Sequence, residues 1–180
     1  MNLNNKYYGA YNNLGTNFKM LRQYKKAFEN YKKAIQLNHN YYEAYNNMGI
    51  LLSQINNYNE SIKCFDKAIE LNGNYIDAFQ NKASAHTLNK NYNLAIKIYE
   101  NLKDLDSKNI FLYDDKILFN KIMICDWDNF ENLSLSLEKN IEKKDFFPFN
   151  FLYFIDEPKL IKSCIKIFNR RSNSINTFKN

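Results

Sequence analysis

Tyr11-Asn12-Asn13-Leu14-Gly15, Tyr45-Asn46-Asn47-Met48-Gly49 and Phe79-Gln80-Asn81-Lys82-Ala83 are one phrase written three times, 34 residues apart: aromatic, variable, Asn, variable, small. With Tyr8, Tyr42 and Ile76 as first positions, the units also agree at the twentieth residue, which is small (Ala27, Ser61, Ala95), and at the twenty-fourth, which is aromatic (Tyr31, Phe65, Tyr99). Each unit closes on a leucine: Leu37, Leu71 and Leu105. Such a period predicts stacked pairs of antiparallel helices. The first helices are expected over about 8–21, 42–55 and 76–89, and the second over about 24–37, 58–71 and 92–105. Tyr24, Tyr58 and Tyr92 mark the turns inside each pair. Gly15, Gly49 and Ala83, facing Ala27, Ser61 and Ala95, let the two backbones come close.

The composition agrees with an all-α chain. Only 4 Gly and 2 Pro occur in 180 residues, and both prolines lie beyond residue 145, so little interrupts helix formation. At 45% apolar the chain has ample material for a core. The cysteines Cys64, Cys125 and Cys164 are odd in number, far apart and outside any CxxC or Cys/His cluster. That pattern points to reduced thiols in the cytoplasm and to no metal. No apolar run is long enough to cross a bilayer, and Met1-Asn2-Leu3-Asn4-Asn5-Lys6 lacks the apolar centre of a signal peptide.

The net charge of +6 raises the question of nucleic acid. Lys25, Lys26, Lys32, Lys33, Lys63, Lys67, Lys90, Lys97 and Lys103 fall on or beside the second helices, where a solvated basic face is the expectation and no nucleic-acid partner is foreseen. His39 lies in a turn and His86 at an apolar helical position, neither with acidic or cysteine neighbours at ligand spacing. There is no Gly-rich phosphate loop and no nucleophile beside a base, so no catalytic residue and no cofactor is expected.

The repeated phrase resembles the tetratricopeptide repeat, over roughly 100 residues in one register. The resemblance implies a right-handed superhelix of helix pairs whose first helices line a concave groove. Residues 8–41, 42–75 and 76–109 then form repeats 1 to 3, and residues 1–7 match the closing sequence of a preceding repeat. A first repeat without its own cap would expose apolar surface and allow self-association. The family's proline after each second helix is replaced by His39, Gly73 and Ser107, so Asn and Gly must make those turns.

In this fold the sixth position of each unit, Asn13, Asn47 and Asn81, faces the groove, with Asn12, Asn46 and Gln80 beside it. An amide offers both a donor and an acceptor, so one per unit can pair with an extended polypeptide without reading its sequence. The other inward positions include Lys19, Glu43, Ile50, Ser53, Asp77 and Ser84. They are polar and nearly neutral, unlike a lysine clamp for a C-terminal carboxylate.

After Asp106 the pattern continues half-way: Ile110 to Ile124 reads as one more first helix, with Asp115 at the sixth position. Cys125-Asp126-Trp127-Asp128-Asn129-Phe130 then replaces the expected partner, followed by a charged helix from about 130 to 144 and Phe147-Pro148-Phe149. Asp156 and Pro158 suit the start of a further helix. This arrangement resembles the junction between repeats and catalytic region in the O-linked N-acetylglucosamine transferase family, whose members hold acceptor polypeptides on an asparagine ladder. Two compatible readings follow for residues 110–170. They are the entry to a catalytic region outside the chain, and a helical cap in which Trp127 and Phe130 seal the last repeat and Asp126 or Asp128 serves as an N-cap. The nucleotide-binding lobes are absent and no histidine follows His86, so this chain is not expected to transfer sugar alone. Residues 171–180 are expected to fray.

Overall fold

The computed structural model describes residues 7–126 together with Asp128 and Asn132. Two compact units divide at Leu105 and Asp106. The first holds six helices in three pairs: α1 (Tyr8–Met20) with α2 (Tyr24–Leu37), α3 (Tyr42–Gln54) with α4 (Tyr58–Leu71), and α5 (Ile76–Leu88) with α6 (Tyr92–Leu105). Each helix packs on the next in sequence. The first helices also touch one another, α1 against α3 and α3 against α5, and so make a continuous wall. This is an all-helical superhelical stack of repeats. In the second unit, a 3-10 turn (Ser107–Asn109) leads into α7 (Ile110–Met123).

The repeated positions explain the packing. A Cβ placed on Gly15 would lie 2.7 Å from the Tyr31 ring and 3.2 Å from the Ala27 carbonyl, and one on Gly49 would lie 2.6 Å from Phe65. In the first two units the aromatic of the twenty-fourth position therefore occupies the place of the missing side chain of the eighth, and the close approach expected from the small residues is real. Ala27, Ala95 and Ser61 are fully buried beneath it. Ser61 satisfies its hydroxyl by donating to the Gly49 carbonyl at 2.8 Å. Where the twenty-fourth residue is Tyr, the ninth carries a hydroxyl to meet it. Thr16 Oγ1 lies 3.2 Å from Tyr31 Oη, and Ser84 Oγ lies 3.1 Å from Tyr99 Oη. Opposite Phe65 the ninth residue is Ile50.

The first helices stop one residue short of the expected bounds, because the fifteenth position turns left-handed: Arg22 (φ 57°), Asn56 (φ 62°) and Lys90 (φ 62°). Each turn closes by two backbone bonds. Arg22 N–H donates to Lys19 and Gln23 N–H to Phe18, and the same pair recurs at Asn56 with Asn57 and at Lys90 with Asn91. Gln23 and Asn57 serve at once as the N-caps of α2 and α4. Between pairs, where proline is missing, Asn38 and Asn72 accept the Asn40 and Asn74 N–H groups with their side chains, as the asparagine-rich turns suggested. Tyr8 and Tyr41, and again Tyr42 and Tyr75, meet edge-on across each unit.

Candidate functional site: an amide ladder on the inner wall

The periodic asparagines divide into two sets. Asn12 and Asn46, at the fifth position, are buried, 6% and 4% exposed. Asn47 and Asn81, at the sixth, are half-buried, and Asn13 is exposed. The sets are joined across the repeats: Asn47 Nδ2 donates to Asn12 Oδ1 at 2.9 Å, and Asn81 Nδ2 donates to Asn46 Oδ1 at 3.0 Å. Asn46 spends its own amide N–H on Tyr75 Oη at 3.3 Å. A fifth-position amide thus binds the sixth-position amide of the next unit and the tyrosine that closes its own.

This ladder is first of all a clasp. Buried amides cost free energy unless paired, and here each pairing ties two neighbouring first helices. Burial pushes the Tyr75 phenol up to about 12, with the charges of Asp77 and Glu43 adding to the shift and the Asn46 bond opposing it. The hydroxyl therefore stays protonated at any ordinary pH. Tyr41 is shifted upward in the same way, by burial first and then by Glu43, against an opposing bond from Asn12.

Each clasp uses one N–H of the sixth-position amide, and the Asn47 and Asn81 carbonyl oxygens accept no hydrogen bond among the described residues. Asn13 carries no clasp there either. Gln80 is half-buried on the same wall. Beside Asn81 the wall opens into a cleft of about 180 Å³ between α3 and α5, mostly apolar and lined by no charged side chain.

The rest of the titratable chemistry is structural. His86 is buried in α5, and desolvation, then the charge of Lys82, hold its pKa below the ordinary value of 6.5, against an opposing pull from Asp66. Lys82 ties α5 to α4 by an ion pair to Asp66 at 2.6 Å. The buried Cys64 thiol is pushed up to about 11 by burial and by Glu60, which leaves it unreactive. Among the described residues no group of His, Cys, Asp and Glu is placed to hold a metal ion. Of the second-helix lysines Lys25, Lys26, Lys32, Lys33, Lys63 and Lys97 are exposed and Lys67 and Lys103 half-buried, and Lys63 and Lys67 pair with Glu60 and Glu70.

The junction residues Cys125 and Asp126 have a local explanation. Cys125 is left-handed (φ 55°) and repeats the turn of Arg22, Asn56 and Lys90, one residue late because α7 is one residue longer than α1, α3 and α5. Asp126 N–H donates to the Lys121 carbonyl. Its carboxylate takes the Lys121 ammonium at 2.7 Å and the Asp128 N–H at 2.9 Å. The ammonium, then the Asp128 bond, hold the Asp126 carboxyl below the usual range. Trp127, the helix expected over 130–144, the Pro-Phe segment, the helix start at Asp156 and the tail lie outside the described residues, as do residues 1–6. Asp115, at the sixth position of the half repeat, is buried, and desolvation raises its pKa.

Tetratricopeptide repeat models match residues 42–75 and 76–109, and a further model of the same repeat matches residues 22–55. The chain carries tetratricopeptide repeats. No curated protein matches it. Among solved structures with this repeat fold, the crystal structure of MamA protein superposes with a TM-score of 0.68 at 21% identity, over 78% of this chain and 75% of that one. The second repeat domain of human RPAP3, solved with an HSP70 peptide, superposes with a TM-score of 0.57 at 24% identity, over 62% of this chain and 92% of that one. A yeast Sti1 repeat domain in complex with HSP90 gives 0.58 at 20% identity, over 61% and 45%. These repeat matches supply no link to a glycosyltransferase. Among the described residues no helix is long and apolar enough to cross a membrane.

Proposed function

We propose that the tetratricopeptide wall of α1, α3 and α5 binds an extended segment of a partner polypeptide, with Asn13, Asn47 and Asn81 as its backbone-directed contacts. The observation that carries this reading is the clasp itself. It fixes the Asn47 and Asn81 amides by one N–H each and leaves their carbonyl oxygens unspent on a half-exposed wall. Donors and acceptors held in place before binding lose less freedom on association. Asn12, Asn46 and Gln80 act behind them as supports. That RPAP3 and Sti1 domains of the same fold are complexes with HSP70 and HSP90 partners supports a peptide-binding use. An acidic tail such as the SGPTIEEVD peptide of the RPAP3 complex suits this wall poorly, since Glu43 and Asp77 outnumber Lys19 at its inward positions.

The test is fluorescence anisotropy with unstructured peptides. Replacing Asn13, Asn47 and Asn81 together by Ala should weaken binding by about 1–3 kcal/mol. Asn13→Ala alone, which breaks no clasp, should weaken binding without lowering Tm. A folded triple variant of unchanged affinity would remove the proposal.

The ladder and the Cys125-Asp126-Trp127 resemblance support a finer reading, acceptor recognition for an O-linked N-acetylglucosamine transferase-like enzyme whose catalytic lobes lie outside these residues. A free-standing adaptor would use the same wall. The codons that follow Asn180 in the gene separate the two: doubly wound nucleotide-binding lobes favour the transferase, an unrelated continuation the adaptor. The free thiols of Cys64 and Cys125 favour a reducing, cytoplasmic setting in either case.

A further inference from the structure

The cleft between α3 and α5 lies beside the second of two like clasps. Its lining includes Phe65, Ala85, Ile50, Ser84, Leu88 and the amide of Asn81. In the preceding unit the ninth and tenth positions hold Ile50 and Leu51 in place of Ser84 and Ala85. Leu51 is buried in one cluster with Tyr31 and Ala27. Two small side chains thus stand in the cleft's lining where the preceding unit carries two branched ones. Leu88 remains 56% exposed at its edge, in the place where α3 carries the polar Gln54.

We propose that this cleft is a side-chain pocket that selects one uncharged aliphatic residue, Leu, Ile or Met, from the polypeptide laid along the wall; the proposal rests on the peptide-binding reading above. Three observations point to that occupant. The volume of about 180 Å³ falls below the roughly 300 Å³ at which pockets begin to take whole small-molecule ligands, and it suits one side chain. No charged residue lines the cleft, so a Lys, Arg, Asp or Glu entering it would be desolvated without a partner. Asn81 stands at its border with an unspent carbonyl oxygen, so the residue that enters the pocket can be held by its own backbone N–H. The ladder then supplies affinity along the strand and the pocket supplies specificity at one place.

The experiment uses the full chain and peptides of about ten residues, blocked at both ends, in a Gly/Ser/Thr background that carries Leu, Ile, Met, Ala, Glu or Lys at one scanned position. Peptides with Leu, Ile or Met should bind at least about tenfold more tightly than the Ala peptide, and those with Glu or Lys no more tightly than Ala. Ser84→Ile, which copies the ninth position of the preceding unit, should shrink that preference to less than about threefold and leave the Ala peptide's affinity unchanged. Ile50→Ala, which lowers a wall without overfilling the space, is the second variant and should also reduce the preference; circular dichroism melts verify that both fold. Equal binding of the Leu and Ala peptides, with both weakened by Asn13→Ala, would overturn the pocket and leave the groove standing. So would an aliphatic preference that survives both variants. If no peptide binds at all, pocket and groove fall together.

Discussion

The junction of α1 with α3 and the junction of α3 with α5 carry the same clasp, Asn12 to Asn47 and Asn46 to Asn81, yet the side chains around the two differ, and an apolar cleft lies beside the second. The residues differ at one pair of positions: Leu51 is buried with Ala27 and Tyr31, while its counterpart Ala85 lines the cleft together with Ser84. A repeat therefore separates its duties. Positions that hold the stack together recur with the period, and positions that meet a ligand are free to change from one unit to the next. Asn46 and Asn47, side by side in the chain, show the division at its finest. The first is buried with both sides of its amide engaged, while the second gives one N–H to the stack and keeps its carbonyl oxygen.

The strongest way to break the comparison is to truncate Leu51, the buried counterpart of Ala85. Leu51→Ala should cost about 3 kcal/mol in urea denaturation, within the range for a buried leucine whose site cannot collapse, and should open a second cleft beside Asn47. Ala85→Gly, the corresponding truncation in the cleft's lining, should cost only about 1 kcal/mol, mostly through helix propensity. Comparable losses at the two sites would mean that the junctions do not differ in packing.

The clasps are next in size. Asn46→Ala leaves the Asn81 N–H and the Tyr75 hydroxyl without their partner and should cost about 2 kcal/mol. Asn81→Ala should cost about 1 kcal/mol, since its partly exposed amide returns to water. A double-mutant cycle of Asn46 with Asn81 should give a coupling of at least about 0.5 kcal/mol, and Asn12 with Asn47 about the same. A cycle near zero at either junction would show that the amides only touch.

Much of the first unit was legible because its constraints are periodic. The 34-residue step fixed six helices to within a residue, and the small eighth position announced the ring that lies on Gly15 and Gly49. The inner wall was legible in part. The asparagines stood out, but their pairing follows a spacing of 35 residues, from Asn12 to Asn47 and from Asn46 to Asn81, which a search in steps of 34 passes over. The hydroxyl that accompanies each Tyr at the twenty-fourth position was also there to be found, in Thr16 with Tyr31 and Ser84 with Tyr99. The cleft was not legible, since it depends on how Ile50, Phe65, Ala85 and Leu88 come together from three helices. At the junction, Cys125 and Asp126 drew notice as a motif, while their capping role belongs to a backbone conformation that their side chains do not signal.

The same limit appears in the turns within the pairs, where the smallest effect is expected. Arg22, Asn56 and Lys90 share one left-handed conformation, but only Asn is a residue that adopts it with ease. The position is imposed by the closing bonds from Gln23 to Phe18, Asn57 to Leu52 and Asn91 to His86, which form whatever the side chain. For Arg and Lys the conformation costs about 1–2 kcal/mol, partly offset on replacement by the greater freedom of glycine in the unfolded chain. Arg22→Gly and Lys90→Gly should each raise stability by about 0.5–1 kcal/mol, and Asn56→Gly by less. A gain at Asn56 equal to the other two would show that side-chain sterics do not set the cost, and that the backbone bonds alone decide how each helix ends.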